Sequence, residues 1–293
     1  MELNNNHNTE EIVTVQQEEE VHKETHEIHH EQTLFAEPLF HVGSFNITNS
    51  LLVSWFVVVI IIILSVSLRL GLKKVPGKIQ GVFEMIFEWF LETFDSITGS
   101  RKKSLQFFPL VFAFFIFILL NNWFGLLPGV GTVGQVVSEH GEQMLIPYLR
   151  GGTADLNTTL TLAIIAIVAS HLFGIFKVGI WTHFNKFVNI KAFLEIPKKV
   201  MKEPTIIFVN PIKAFVGVVE IIGEVAKVAS LSFRLFGNIF AGEVLLASMA
   251  ALIAWIVPIP FMFLEIIVGI IQALIFAMLT LAFLTISTSS EEH

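Results

Sequence analysis

The chain has no cysteine, which excludes disulfides, thiolate metal sites and a cysteine nucleophile. Charge is scarce as well. Asp, Glu, Lys and Arg make up 15% of the residues, where a soluble domain carries about a quarter. A basic surface is missing: the formal net charge is −7, and no nucleic-acid footprint can be drawn. Ten of the 25 acidic residues lie in the first fifty, against one lysine, and that stretch is polar and unlike a signal peptide. The chain also has no internal repeat of the kind that ion-coupled secondary transporters show.

What the chain does have is apolar length. Hydrophobic residues make up 54% of it, which predicts an all-α polytopic membrane protein. The expected crossings are about 51–70, 105–127, 157–181, 205–257 and 261–287, each long enough to span hydrocarbon. Residues 1–36 read as an acidic, His-containing disordered tail, and 37–293 as one membrane domain. Between the first two spans, "VFEMIFEWFLETFD" sets Glu84, Glu88 and Glu92 at i, i+4 and i+8 against phenylalanines. That spacing predicts one interfacial amphipathic helix, with packing on the soluble side as the alternative.

Lys and Arg give the direction. Seven lie in 69–103 and seven in 177–213, against Lys23 alone in the tail and Arg150 alone in 128–155. The positive-inside rule then predicts an external N-terminus and a cytoplasmic C-terminus. The fourth apolar block would reach roughly 75 Å as a helix against a core of about 30 Å. It is therefore expected to be one long, oblique helix, as is its successor beyond "PIP" at 258–260.

Inside that block stands "SFRLFGNIFAGE". At 100° per residue, Gly223, Ala226, Ser230, Arg234, Gly237 and Ala241 form one stripe of small residues carrying a single arginine. Small stripes admit a close neighbouring helix. Glu220 and Glu224 border the stripe. Glu243, nine residues on, points the other way. Glu265 and Gln272 share one face of the last helix, with Gly269 between them. A mid-membrane arginine costs about 2.5–3.5 kcal/mol on insertion scales, so it marks either an ion pathway or a structural ion pair. Snorkelling is excluded by more than twenty apolar-dominated residues on each side.

"SLSFRLFGNIFAGE", "IIQALIFAMLTLAFL" and the terminal "SSEEH" resemble subunit a of the F-type ATP synthases. So do "EPLFHV", "VPGKIQ", "NNWFGLLP" and "TADLNTTL", in order, over about residues 37–293. The resemblance implies a non-catalytic, cofactor-free, metal-free stator subunit of a cell inner membrane. It would carry protons through two offset half-channels to and from the carboxylates of a c-subunit ring. Its partners would be that ring, the b-subunit peripheral stalk, the rest of the F1Fo complex and the bilayer, with no nucleic acid. By resemblance Arg234 is the essential arginine facing the ring and Asn238 its partner. Glu243, Glu265 and Gln272 line the inlet, and Glu220, with Glu224 nearby, the inner half-channel. Glu243 and Glu265 are expected to meet at one depth and share a proton.

Departures from the family pattern are the two acids at the inlet, where a histidine–glutamate pair is common, and Gly125, where some relatives have aspartate. The acidic tail and a lysine-rich insertion at 184–203 are others. Two further readings compete. "HEIHH" at 26–30 fits H-E-x-x-H, but in an acidic tail without a core it predicts at most adventitious metal binding by His22, His26, His29 and His30. A passive channel would conduct without a ring.

Overall fold

The computed structural model describes residues 28–29, 33–43, 45–127, 129–131, 133–139, 142–182, 206–253 and 256–289. Most of the tail, including His22, His26 and His30, and the insertion at 184–203 lie outside the described residues. Five helices are long and apolar enough to cross a membrane. They are α1 (Asn49–Gly71), α3 (Arg101–Gly125), α4 (Leu156–Val178), α5 (Ile206–Leu252) and α6 (Pro258–Thr288), with α2 (Lys78–Thr98) between the first two. The chain is thus an all-α polytopic membrane protein in its main mass.

The short strands were not expected. Pro38–Val42 (β2) and Phe45–Thr48 (β3) form an antiparallel hairpin, with Gly43 at φ 64° in the turn. Gly134–Glu139 (β4) and Glu142–Pro147 (β5) form a second hairpin, and β5 is joined in parallel by Ile28–His29 (β1). The end of the predicted tail therefore has structure. Strands this short carry too few residues for alternation to stand out from irregular polar sequence.

Caps fix where the helices begin. Thr48 accepts the Leu51 amide at 3.3 Å to start α1, and Asp155 accepts the Asn157 amide at 3.1 Å to start α4. α3 begins at Arg101, not near 105: a charged first turn costs little at a membrane edge, where lysine and arginine heads reach water. α5 stops at Leu252, and Pro258 and Pro260 lie in the first turn of α6 rather than in the break. Proline fits that turn because the amide it lacks has no helical acceptor there. The "FGN" stretch does not interrupt α5, whose 47 residues extend roughly 70 Å at about 1.5 Å each.

Phenylalanine builds the core. Phe107, Val111, Phe114, Phe115 and Ile118 of α3 lie buried with Phe276, Ala277, Leu281 and Leu284 of α6 and Leu231 and Leu235 of α5. α2 lays its Phe face on α3, with Phe87 5.7 Å from Phe108 and 5.0 Å from Phe112, and Phe90 4.7 Å from Phe115 between ring centroids. The acid face of α2 is clamped to the start of α3, where Arg101 meets Glu88 at 2.8 Å and Asp95 at 3.0 Å. Ile79, Val82, Met85 and Trp89 stay exposed along α2. That third face leaves an apolar strip for the bilayer surface while the aromatic face packs on protein.

Candidate functional site

The arginine stripe faces away from the bundle. Leu231, Ser232, Leu235, Phe236 and Ile239 turn inward and are buried. Phe233, Arg234, Asn238 and Ala241 are exposed on the opposite side, with Ala226 and Ser230. A Cβ added at Gly223 or Gly237 would meet nothing within 4 Å. The face is therefore smooth, open and wide enough for another helix. The Arg234 guanidinium has no hydrogen-bond or ion-pair partner among the described residues. Its backbone carbonyl accepts from Gln272 Nε2, which ties α5 to α6 at this depth.

On α6, Glu265, Gly269 and Gln272 are all buried, as their shared face predicts. The "NNWFG" turn of α3 grips this face. Asn122 Nδ2 donates to the Gly269 carbonyl at 3.1 Å and Trp123 Nε1 to the Ile266 carbonyl at 3.3 Å. Asn122 Oδ1 accepts from Thr153 at 2.6 Å, and Asn121 Oδ1 from Ser54 at 3.3 Å. Gly152 is squeezed against Asn121 and Ser54, so that any side chain there would displace them. Asp155 ties the same corner to α1 by accepting from Ser50 Oγ at 3.1 Å.

Glu243 does point away from the Arg234 face, but its partner is not Glu265. Arg150, 6% exposed, donates to Glu243 Oε2 from Nε at 3.3 Å and from Nη2 at 3.2 Å. The rest of the guanidinium is held by Thr33 and Phe35: Nη2 donates to the Thr33 carbonyl at 2.8 Å, and Nη1 to Thr33 Oγ1 and the Phe35 carbonyl at 3.3 Å. Glu243 Oε1 has no hydrogen bond among the described residues and lies over Gly151. Glu265 packs its carboxylate on Gly242, which has no room for a Cβ. Glu265 thus lies beside the residue that precedes Glu243, and no hydrogen bond joins the two acids among the described residues, while Arg150 clamps one of them. A fixed cation answers a buried carboxylate more fully than a second acid can.

Gly125 has its own reason. A Cβ there would lie 3.3 Å from the Gly151 Cα. The backbone that carries Arg150 to Glu243 thus runs where an aspartate side chain would begin.

Toward the other end, Glu224 lies between Lys227 and His171. Its Oε1 accepts from Lys227 Nζ at 2.7 Å, and its Oε2 lies 3.4 Å from His171 Nε2 on α4. Lys227 also sits 5.3 Å over the Phe283 ring of α6. Glu220 is partly exposed one turn earlier. Outside the spans, the Asp95 carboxyl on α2 faces the start of α3. The Ser104 hydroxyl, then the Arg101 guanidinium, hold its carboxyl below the usual range.

Sequence reading found the residues on α5 and α6 and missed Arg150, Thr33 and His171. Arg150 had one signal: it is the sole cation in a loop on the side poor in positive charge. His171, a lone histidine in an apolar span, gave the same kind of signal. Their partners could not be read, because the contacts join residues far apart in the chain.

A family model described as ATP synthase A chain matches residues 51–285. ATP synthase subunit a of Mycobacterium ulcerans is 34% identical over 187 residues, covering 63% of this chain and 64% of its own. That of Mycobacterium marinum aligns to the same extent. The chain therefore spans just under two thirds of the length of the mycobacterial relatives it matches. The chloroplastic ATP synthase subunit a of Stigeoclonium helveticum is 32% identical over 244 residues, 83% of this chain and 85% of that one. The matched stretch contains Arg150, His171 and every predicted site residue from Glu220 to Gln272, and with them the chain belongs to the ATP synthase A chain family.

Proposed function

We propose that this chain is the ion-carrying stator subunit of a rotary ATP synthase membrane sector, passing protons to and from carboxylates on a c-subunit ring. The observation that carries the reading is Arg234, a permanent cation on an exposed small-residue face in the middle of a long apolar helix, with no side-chain partner among the described residues. Such a cation requires a counter-charge from outside the chain, since unpaired mid-membrane arginine is costly. A passing carboxylate on a packed helix meets that requirement in its charged form. Arg234 thereby favours proton release into one half-channel and, because a guanidinium does not give up its proton, blocks a direct hop between the two.

On this reading the outer path uses Glu243, whose Oε1 is open, then Glu265 and Gln272. Gln272 ends at the Arg234 backbone, so the path and the arginine share one support. The inner path uses Glu224 with His171 and Lys227, and Glu220. Asn238 accompanies Arg234 on the open face. The chain itself performs no catalysis. Each elementary charge crossing 100 mV yields about 2.3 kcal/mol, which is the source of torque. The b-subunit stalk and the remaining F1Fo subunits complete the assembly. The membrane is the cell inner membrane, with residues 1–49 outside and the C-terminus in the cytoplasm.

The test is ATP-driven acidification of inverted vesicles in sodium-free buffer. Arg234→Ala should lose coupled pumping while the complex still assembles. Arg234→Lys should fail too, because lysine lacks the planar fork and can deprotonate. Normal pumping by the alanine variant would overturn the reading, and pumping that required sodium would overturn the assignment of the ion.

A further inference from the structure

A cleft of about 430 Å³ opens between the start of α3 and the end of α4, within the size range of small-ligand sites. Lys102 and Lys103 line it from α3 and Lys177 from α4, with Gln106 beside them and Phe173 and Phe176 as apolar wall. None of the three lysines has an acidic partner among the described residues. The neighbouring Arg101 does, and Glu88 and Asp95 already engage it. Lys102 and Lys103 also stand in the first turn of α3, which has no acidic residue. Cations are unfavourable at that end of a helix dipole. Three unanswered ammonium groups therefore converge on one cleft, and they call for an anion.

The position selects which anion. The cleft lies at the ends of two membrane-crossing helices, on the side where the basic segments gather, and so at headgroup level. Phe176 is 85% exposed at its rim and extends the apolar surface toward acyl chains. Basic pockets between spans on the cytoplasmic side suit anionic headgroups. We propose that this cleft is a binding site for an anionic phospholipid, its phosphate held by Lys102, Lys103 and Lys177 and its acyl chains lying along Phe173 and Phe176. The site is separate from the proton path, and the proposal does not depend on it.

The test is native mass spectrometry of the full chain purified in detergent with its bound subunits, titrated with phosphatidylglycerol or phosphatidylcholine. Each lysine near an anionic headgroup is worth roughly fivefold in affinity, so Lys102→Gln, Lys103→Gln and Lys177→Gln together should weaken phosphatidylglycerol binding about a hundredfold. Phosphatidylcholine retention should not change, and arginine at the three positions should keep the affinity. Lys73→Gln with Lys74→Gln, at the same basic end but outside the cleft, should have little effect. Phe176→Ala should weaken the lipid several-fold, and millimolar inorganic phosphate should not displace it. Equal phosphatidylglycerol retention by the triple variant would overturn the site. Displacement by inorganic phosphate, with no effect of Phe176→Ala, would overturn the lipid in favour of a soluble phosphate. Loss of a co-purifying subunit from the triple variant, with lipid retained, would overturn it in favour of a protein acid.

Discussion

Arg150 is buried with all three guanidinium nitrogens engaged, and three of its five hydrogen bonds go to Thr33 and Phe35 rather than to Glu243. It locks one oxygen of Glu243 and leaves the other open. Removing one member of a buried ion pair costs about 3–5 kcal/mol, because the remaining charge is stranded. Arg150→Gln should therefore lower the thermal midpoint markedly, and Glu243→Gln added to it should recover much of that loss. Pumping should separate the two residues. If Glu243 carries protons, the double variant should be stable and still slow, and Glu243→Gln alone should slow transport strongly. Near-normal pumping by Glu243→Gln across the pH range would remove it from the path and leave the pair a structural clamp. Asp95 allows a second residue-level check. Its carboxyl is held low in the folded protein, so its contribution is present above the ordinary carboxylate range and fades as pH falls through its lowered value. Asp95→Asn should be less stable than the parent at pH 7, and the difference should shrink once the pH falls below the ordinary carboxylate range and vanish below the lowered value.

At the scale of elements, α5 and α6 are held at the depth of the two acids by contact without spare room. Gly242 meets the Glu265 carboxylate, a Cβ at Gly269 would lie only 3.2 Å from that of Asn122, and Gln272 bonds the Arg234 carbonyl. Gly242→Ala should push α6 from α5 and lower both assembly and pumping. Glu265→Asp, one methylene shorter, should partly restore assembly in the Gly242→Ala background, which a double-mutant cycle on complex yield would measure. No coupling between the two positions would refute the contact. The same contacts mark the limit of what the sequence could tell. Arg234 and the small stripe were legible because helical spacing alone sets one face of one helix. So were Glu265, Gly269 and Gln272, whereas Asn238 came from the family resemblance. The Arg150–Glu243 clamp joins positions 93 apart, and Thr33 is 117 from Arg150, so no local period carries either. The α2 helix was legible as amphipathic, but which face met protein depended on the phenylalanines of α3.

For the whole molecule, two ends differ in kind. One collects the hairpins, the Arg150 clamp and the turn between α5 and α6, and it holds few cations. The other collects Lys73, Lys74 and Lys78 at the α1–α2 connection and the cleft lysines. With five crossings, a chain that starts on the first side must end on the second. α1 adds to the asymmetry: its buried residues, Asn49, Ser50, Val53, Ser54 and Val57, all lie in its first half, so its second half is left uncovered by the described residues. The orientation itself rests on the positive-inside rule. The absence of native cysteine makes it directly testable by single-cysteine labelling in intact cells. Gln135→Cys on β4 should react with an impermeant maleimide added outside. Ile190→Cys and Ser289→Cys should react only after the membrane is opened. A hairpin at "FGN" would have moved the C-terminus outside, and the unbroken α5 argues against one, so Ser289→Cys is the sensitive position. External labelling at Ser289→Cys with none at Ile190→Cys would mean an odd number of crossings after the insertion, as a hairpin in α5 would give. External labelling at both would invert the molecule and carry the proposed inlet at Glu243 and Glu265 to the cytoplasmic side.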